Sequence, residues 1–353
     1  MEARVCRLYG ENDIRIETVT VEAPRPGQVL LALGAGGICG SDLHYYQHGG
    51  FGPIRVREPI ILGHEASGTV VALGPDVTEL ATGDVVAINP SRPCGTCEFC
   101  EKGLPVHCLE MRFNGSAMRM PHEQGLFRDH IVVEARQCVP VGTGVSLGEA
   151  ACAEPLAVCL HARNRAGDLN GARVLVTGAG PIGALCAAVA TEAGAAEVVV
   201  TDLQDFTLEV ATRMGATRTV NVATDPAGLD AYAAGKGQFD VAFECSSAAP
   251  AIKTAITCLR PQGRLVQVGV AGDVPVPLNM LVGKEITYCG TQRFDTEFAQ
   301  AVQMISERRI DVRPIITATY PLSRAIEAFD AAGNRSSAVK VQLGFSGVDA
   351  SKR

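Results

Sequence analysis

The chain has 353 residues, too many for one ordinary core, so two domains are expected. Apolar residues make up 47% and the formal net charge is −7, which leaves no basic footprint for nucleic acid; aromatics at 5% with no Trp leave no platform for stacked bases. The opening MEARVCRLYGENDIRIE is charged and lacks the apolar stretch of a secretory signal, and no uncharged apolar run is long enough to cross a bilayer, so a cytoplasmic protein without a membrane partner is expected.

Residues 1 to about 150 are rich in Gly and Pro. Short apolar stretches, QVLLAL (28–33), GTVVALG (68–74), DVVAINP (84–90) and HIVVEA (130–135), are punctuated by turn residues, which predicts an all-β domain. Two pieces of it carry metal-ligating side chains: GGICGSDLH (36–44) holds Cys39, and LGHEA (62–66) holds His64 and Glu65. A third such piece, AEPLA (153–157), holds Glu154. Taken singly, each has an ordinary structural role, since a lone Cys is most often a small core residue.

PCGTCEFCEKGLPVHC (93–108) is more specific, with Cys94, Cys97, Cys100 and Cys108 spaced C-x2-C-x2-C-x7-C. Thiols stay reduced in the cytosol, and the total of 13 cysteines is odd, which argues against a complete disulfide framework. Four thiolates at this spacing suit tetrahedral zinc. Such a site has no open position, so the loop is expected to be a clip. Any metal chemistry requires a second, open site.

From about residue 155 the texture changes. ARVLVTGAGPIGALCAAVATEAG (172–194) reads as strand, tight turn and Ala-rich helix. AEVVVTD (196–202), LEVATRMGA (208–216), RTVNV (218–222), QFDVAFECS (238–246), a helix over 250–259 and GRLVQVG (263–269) continue the alternation. That pattern predicts a doubly wound parallel sheet with helices on both faces. GAGPIG matches G-x-G-x-x-G in the context the motif requires, after a strand and opening a helix. Gly178 allows the turn, Gly180 lets the backbone approach a pyrophosphate, and Gly183 lets the helix pack on the strand. Pro181 suits the first helical position, where its missing N–H does no harm. Gly178, Gly180, Pro181, Ile182 and Gly183 are therefore assigned to a dinucleotide. Asp202, nineteen residues after Gly183 at the end of the second strand, is placed to bind ribose hydroxyls and repel a 2′-phosphate, which favours NAD over NADP. Beyond the alternation, AVKVQLGF (338–345) reads as a strand, and SGVDASKR (346–353) as a loose polar tail.

Together the stretches GGICGSDLHYYQ, LGHE, INPSRPCGTCEFC, MRFNGSAM, AEPLAV and GKEI resemble the zinc-dependent medium-chain dehydrogenases/reductases. The resemblance runs from the N-terminus to about Phe345. It is strongest to the polyol, sorbitol dehydrogenase-like branch, and most of all to the L-idonate 5-dehydrogenases. It implies a GroES-like β domain split in sequence (1–152, with a zinc lobe at about 90–112). A Rossmann domain (153–288) is inserted, and 289–353 return to the catalytic domain.

Carried over by position, Cys39 and His64 are expected to ligate a catalytic zinc, and Glu65 and Glu154 to alternate as ligands or hold a water there. Asp42 is expected to orient the His64 imidazole through its other nitrogen. The four-cysteine loop is expected to hold a structural zinc, making two per chain. The zinc supplies a Lewis acid for a secondary alcohol, whose hydride passes to NAD. Ser41, two residues after Cys39, and His44, three further on, are expected to relay the proton outward. Tyr45, Arg112 and Arg293 are the candidate substrate contacts, the arginines because a guanidinium binds a carboxylate with two parallel hydrogen bonds.

The expected reaction is oxidation of a sugar acid, L-idonate to 5-keto-D-gluconate. A sorbitol or xylitol dehydrogenase is the near rival, and a non-catalytic nucleotide-binding protein the remote one. The resemblance also implies a homotetramer, with Rossmann sheets joined near residues 270–290.

Overall fold

The computed structural model describes residues 1–270 and 272–345; the tail expected at 346–353 lies outside the described residues. The inserted domain is a six-stranded parallel sheet. Its order is Arg218–Asn221, Glu197–Asp202, Arg173–Thr177, Phe239–Glu244, Leu259–Gln267 and Thr287–Gly290. Its central strands are unbroken apolar runs because helices cover both faces. Val174, Leu175 and Val176, like Val198, Val199 and Val200, are fully buried. The strand order reverses between Arg173–Thr177 and Phe239–Glu244, so a crevice opens at their C-terminal ends. Helix Pro181–Glu192 starts at that crevice, with Gly180 as its N-cap.

The first domain is built on a seven-stranded sheet with Gln28–Gly37 at its centre, paired antiparallel to Glu65–Leu73, His130–Glu134 and Lys340–Gly344. The last of these strands comes from the far end of the chain and pairs Gln342 with Gly37. The domain is therefore split in sequence and closed in space. The expected boundary at 288 falls inside the sixth parallel strand, Thr287–Gly290. Helix Glu297–Ser306 buries Phe298, Val302 and Ile305 in the same core as Leu156 and Leu160 of helix Ala153–Ala166. The chain rejoins the first sheet at Ile316–Pro321.

Helices Gly40–His48, Glu98–Glu101 and Leu147–Ala151 depart from the all-β expectation, and the first of them bears on the site. Residues Gly40–His48 form a helix, GSDLHYYQH. Its polar start carries no apolar periodicity, which hides it in the sequence. It is closed by Gly49 at φ 60°, whose N–H donates to Tyr45 O at 3.1 Å. This helix carries Ser41, Asp42, His44 and Tyr45.

Candidate active site

Cys39 immediately precedes helix Gly40–His48, and His64 immediately precedes strand Glu65–Leu73. Gly37 and Glu65 face each other across the sheet, so these two short segments meet. Ligand atoms of Cys39, His64 and Glu65 all lie within 4.8 Å of one another. Gly37 is needed at this meeting: a Cβ there would stand 2.1 Å from Oε2 of Glu65. Glu154, buried in the first turn of helix Ala153–Ala166, lines the same cleft but stands outside that trio.

Asp42 is fully buried and works chiefly on the backbone. Its Oδ2 accepts from Cys39 N at 3.0 Å and its Oδ1 from Gly63 N at 3.2 Å. The His64 Nδ1 is 3.8 Å away, beyond hydrogen-bond length. Asp42 therefore fixes the two ligand-bearing segments and acts on the imidazole through its charge, rather than through the direct bond expected.

Acidic groups crowd the His64 imidazole. Burial works to expel a proton from His64, yet Asp42, Cys39 and Glu154 outweigh it and push the imidazole pKa up to about 10. Burial, with Glu65 alongside, pushes Glu154 up to about 7 against the pull of His64. A cysteine sulfur, an imidazole and a carboxyl group with an open cleft beside them fit a catalytic zinc.

The dinucleotide turn opens into the same cleft, lined by Gly178, Gly180, Pro181, Ile182, Gly183 and Asp202. A Cβ on Gly183 would meet Gly178 O at 1.7 Å, so this glycine is required for packing. A Cβ on Gly180 would meet nothing within 4 Å. There the helix N-terminus faces open space, with room for an anion. Asp202 Oδ2 accepts from Ala179 N at 2.6 Å, and Oδ1 from Leu203 N at 2.7 Å and Gln204 N at 3.0 Å. It caps the strand end and faces the cleft at once.

Ser41 and His44 line the cleft from one face of their helix. His44 has one side open to solvent and the other against Phe51, with ring centroids 5.1 Å apart, and its pKa is lowered by this partial desolvation and by His48. Tyr45 lines the cleft with its hydroxyl accepting from Ala117 N at 3.3 Å. Arg293, at φ 46°, holds its guanidinium 4.0 Å over the Phe113 ring, inside the cleft. Arg112 does not join them: it is outside the cleft lining and ion-pairs with Glu123, which also takes Arg92. Its neighbour Phe113 does reach the site, 5.4 Å from the His64 ring.

In the cysteine lobe the four thiols converge, with ligand atoms all within 4.8 Å. Thr96 N donates to Cys94 Sγ at 3.5 Å, Cys94 N to Cys108 Sγ at 3.2 Å and Leu109 N to Cys97 Sγ at 3.5 Å. The Thr96 amide, first among these backbone donors, pulls the Cys94 thiol down to about 6. Backbone amides aimed at sulfur stabilise thiolates, the form that holds zinc. Strands Ser91–Arg92 and Arg112–Phe113 pair to close the loop.

Residues 25–143 match the alcohol dehydrogenase GroES-like domain, and residues 181–307 match the zinc-binding dehydrogenase domain. The chain is 40% identical to L-idonate 5-dehydrogenase (NAD(P)(+)) of Escherichia coli K12, covering 98% of this chain and 99% of that one. The chain belongs to the zinc-binding, GroES-like dehydrogenases. It is also 36% identical to sorbitol dehydrogenase of Gallus gallus, over 95% of this chain and 94% of the relative. The crystal structure of the Escherichia coli L-idonate 5-dehydrogenase superposes with a TM-score of 0.94 at 40% identity, covering 98% and 99% of the two chains.

Against that family background, sequence reasoning missed Lys340. Its Nζ lies 2.7 Å from both carboxylate oxygens of Glu65 and 3.2 Å from Ile38 O. Burial lowers its pKa, but Glu65 and Cys39 outweigh this and raise it. The available signal was a lysine inside the apolar strand AVKVQLGF, where only a paired charge is tolerated.

Proposed function

We propose that this dehydrogenase oxidises a secondary alcohol of a sugar acid, L-idonate to 5-keto-D-gluconate, with NAD as hydride acceptor. The observation that carries the reading is the single cleft, which holds Cys39, His64 and Glu65 at one end and the Gly178–Gly183 turn at the other. Zinc bound by Cys39, His64 and Glu65, with Glu154 beside it, supplies a Lewis acid for the alcohol oxygen. The residues do the rest. The N-terminus of helix Pro181–Glu192 receives the dinucleotide phosphates, and Asp202 the ribose hydroxyls. Ser41 and His44 lead the proton from the buried end of the cleft toward solvent. Tyr45 and Arg293 contact the substrate, and Arg293 is the cation for its carboxylate. Phe113, under the Arg293 guanidinium, orients it.

Asp202 favours NAD. The Cys94, Cys97, Cys100 and Cys108 lobe takes a second zinc that holds its loop and, through Arg112–Phe113, the aromatic floor of the site. A cytoplasmic homotetramer joined through the exposed apolar side chains Leu278 and Val282 completes the reading. The domain limits we propose are a catalytic domain of 1–152, continued from about 316, around the inserted domain.

A polyol substrate is the second reading. It is favoured by the loss of Arg112 from the cleft, which takes away one of the two arginines expected to meet a carboxylate. NADH or NADPH formation with L-idonate, D-sorbitol and xylitol, each with NAD and with NADP, separates the two. Turnover of idonate supports the sugar-acid reading, and turnover of the polyols alone replaces it.

A further inference from the structure

Three cysteines outside both metal clusters meet beneath the dinucleotide turn. Cys159 lies in helix Ala153–Ala166, Cys186 in helix Pro181–Glu192, and Cys245 directly follows strand Phe239–Glu244. Cys159 and Cys186 are buried; Cys245 is half-buried and lines the cleft with Gly178 and Gly180. The sulfurs of Cys245 and Cys186 are 3.9 Å apart, and Cys159 Sγ lies 3.4 Å from Ile182 O. Buried cysteines ordinarily serve as small apolar fillers. Here one sulfur reaches the cleft and a second stands directly behind it, as a resolving thiol stands behind a reactive one. Hydrogen bonds from Cys159 and Cys245 hold the Cys186 pKa down, to about 5, so the pair shares one proton and carries a thiolate.

A bond between the two sulfurs would close their gap from 3.9 Å to about 2 Å. The crevice would feel that movement. Cys245 N donates to Thr177 O at 2.8 Å, which ties the ends of two central strands together. Ser246 and Ser247 come next in the chain and line the cleft. Ser246 stands so near Gly178 that a Cβ on that glycine would meet Ser246 N at 3.0 Å. Drawing Cys245 toward Cys186 therefore shifts the contact between Ser246 and the turn that receives the dinucleotide.

We infer that Cys245 and Cys186 are a peroxide-sensitive thiol pair that joins as a disulfide and thereby weakens the hold of the crevice on its dinucleotide. The oxidant is hydrogen peroxide, which is small enough to enter the cleft. The shared proton rests on Cys186, and the Cys245 thiolate attacks one peroxide oxygen. The O–O bond breaks, leaving a sulfenic acid on Cys245 and releasing hydroxide. The Cys186 sulfur then attacks the Cys245 sulfur; the S–S bond forms, the S–O bond breaks, and the departing hydroxide takes the Cys186 proton as water. The two sulfurs give up two electrons, and the peroxide is reduced to water and hydroxide. The effect on the cofactor rests on the dinucleotide reading of the cleft, whereas formation of the bond does not.

The test treats the reduced, zinc-loaded protein with hydrogen peroxide, alkylates the remaining thiols and maps the cysteine peptides by mass spectrometry. The Cys186 and Cys245 peptides should be joined, and dithiothreitol should release them. NADH affinity, measured after the peroxide is removed, should fall by about tenfold and return on reduction. Saturating NADH during the treatment should slow the joining by covering Cys245. Cys186→Ala should bind NADH as the wild type does before treatment and show no reversible loss after it. Two separate peptides with both thiols still alkylated overturn the inference. So does a bond between Cys159 and Cys186, an oxidised Cys245 without a partner, or joined peptides with unchanged NADH affinity. A reversible loss that persists in Cys186→Ala also overturns it, because another thiol is then responsible. A reduced wild type that binds no NADH removes the dinucleotide reading itself, and the peptide masses then still decide whether the bond forms.

Discussion

The ammonium of Lys340 lies 2.7 Å from each carboxylate oxygen of Glu65, and both side chains are 2% exposed. A carboxylate of the candidate metal cluster thus already has a buried counter-charge, supplied by a strand 275 residues later. Removing one member of a buried pair leaves the other uncompensated, which costs far more than removing both. Lys340→Met should therefore lower stability by about 3–5 kcal/mol. The double variant with Glu65→Gln should lose less than the sum of the two single losses. Urea midpoints of the four proteins check this, and additive losses would mean that the pair contributes no coupling.

Gly37 and Gly40 make a paired test of the metal site. Gly37→Ala drives a methyl group against Glu65 Oε2, while Gly40→Ala meets nothing within 4 Å. The first should displace the carboxylate and lower kcat at least tenfold, by about 1.4 kcal/mol or more of barrier. The second should keep near-wild-type kcat. Zinc content and kcat measured side by side decide it.

The dinucleotide turn separates in the same way. Gly183→Ala puts a methyl against the Gly178 carbonyl, so the strand–helix packing must shift and the melting temperature should fall by several degrees, following about 1–3 kcal/mol of overpacking. Gly180→Ala fills open space at the helix N-terminus. It should melt as the wild type does and bind NADH more weakly. Differential scanning calorimetry with an NADH titration distinguishes the two effects.

Cys97→Ser should remove the lobe metal and leave the other. Metal analysis of the wild type should give two zinc per chain, one for each ligand cluster. The variant should give one. Because Phe113 closes the lobe hairpin and touches both His64 and Arg293, the KM for substrate should rise in the variant.

Glu297 sets a pH dependence. Its carboxylate accepts from Asn164 Nδ2 at 2.8 Å and Asp295 N at 2.9 Å, and pairs with His161 at 3.0 Å. Burial would raise its pKa, but His161 and the amide donors outweigh burial and bring it down to about 2. The folded value lies below the ordinary one, so its stabilisation is complete above about pH 4.5 and drains away as the pH falls toward 2. Glu297→Gln should cost about 2 kcal/mol at neutral pH. The gap to the wild type should close across that acid window, as followed by urea unfolding at each pH.

What could be read from the sequence was what is local. Cys94 to Cys108 sit in one loop, and strand, Gly178–Gly183 and helix follow in direct succession, so spacing alone identified both. Cys39 and His64 are far apart in sequence and became legible only through the stretches around them. Helix Gly40–His48 escaped because its apolar residues, Leu43, Tyr45 and Tyr46, are too few to show a period. Arg112 was misassigned to the substrate because its carboxylate partner, Glu123, approaches through tertiary packing and leaves no mark next to it in the chain. Lys340 was missed for the same reason on a larger scale. A lone charge in an apolar strand announces that a partner exists and says nothing about where.

The position of Lys340 also orders events during synthesis. The lobe cysteines emerge from the ribosome together and can take their metal as soon as that loop is out. Glu65 emerges earlier still, yet its counter-charge and the strand that flanks Gln28–Gly37 follow only after the whole inserted domain has been made. The four lobe thiols are thus available to one another at once, whereas the Glu65–Lys340 pair forms only after the inserted domain that separates its members.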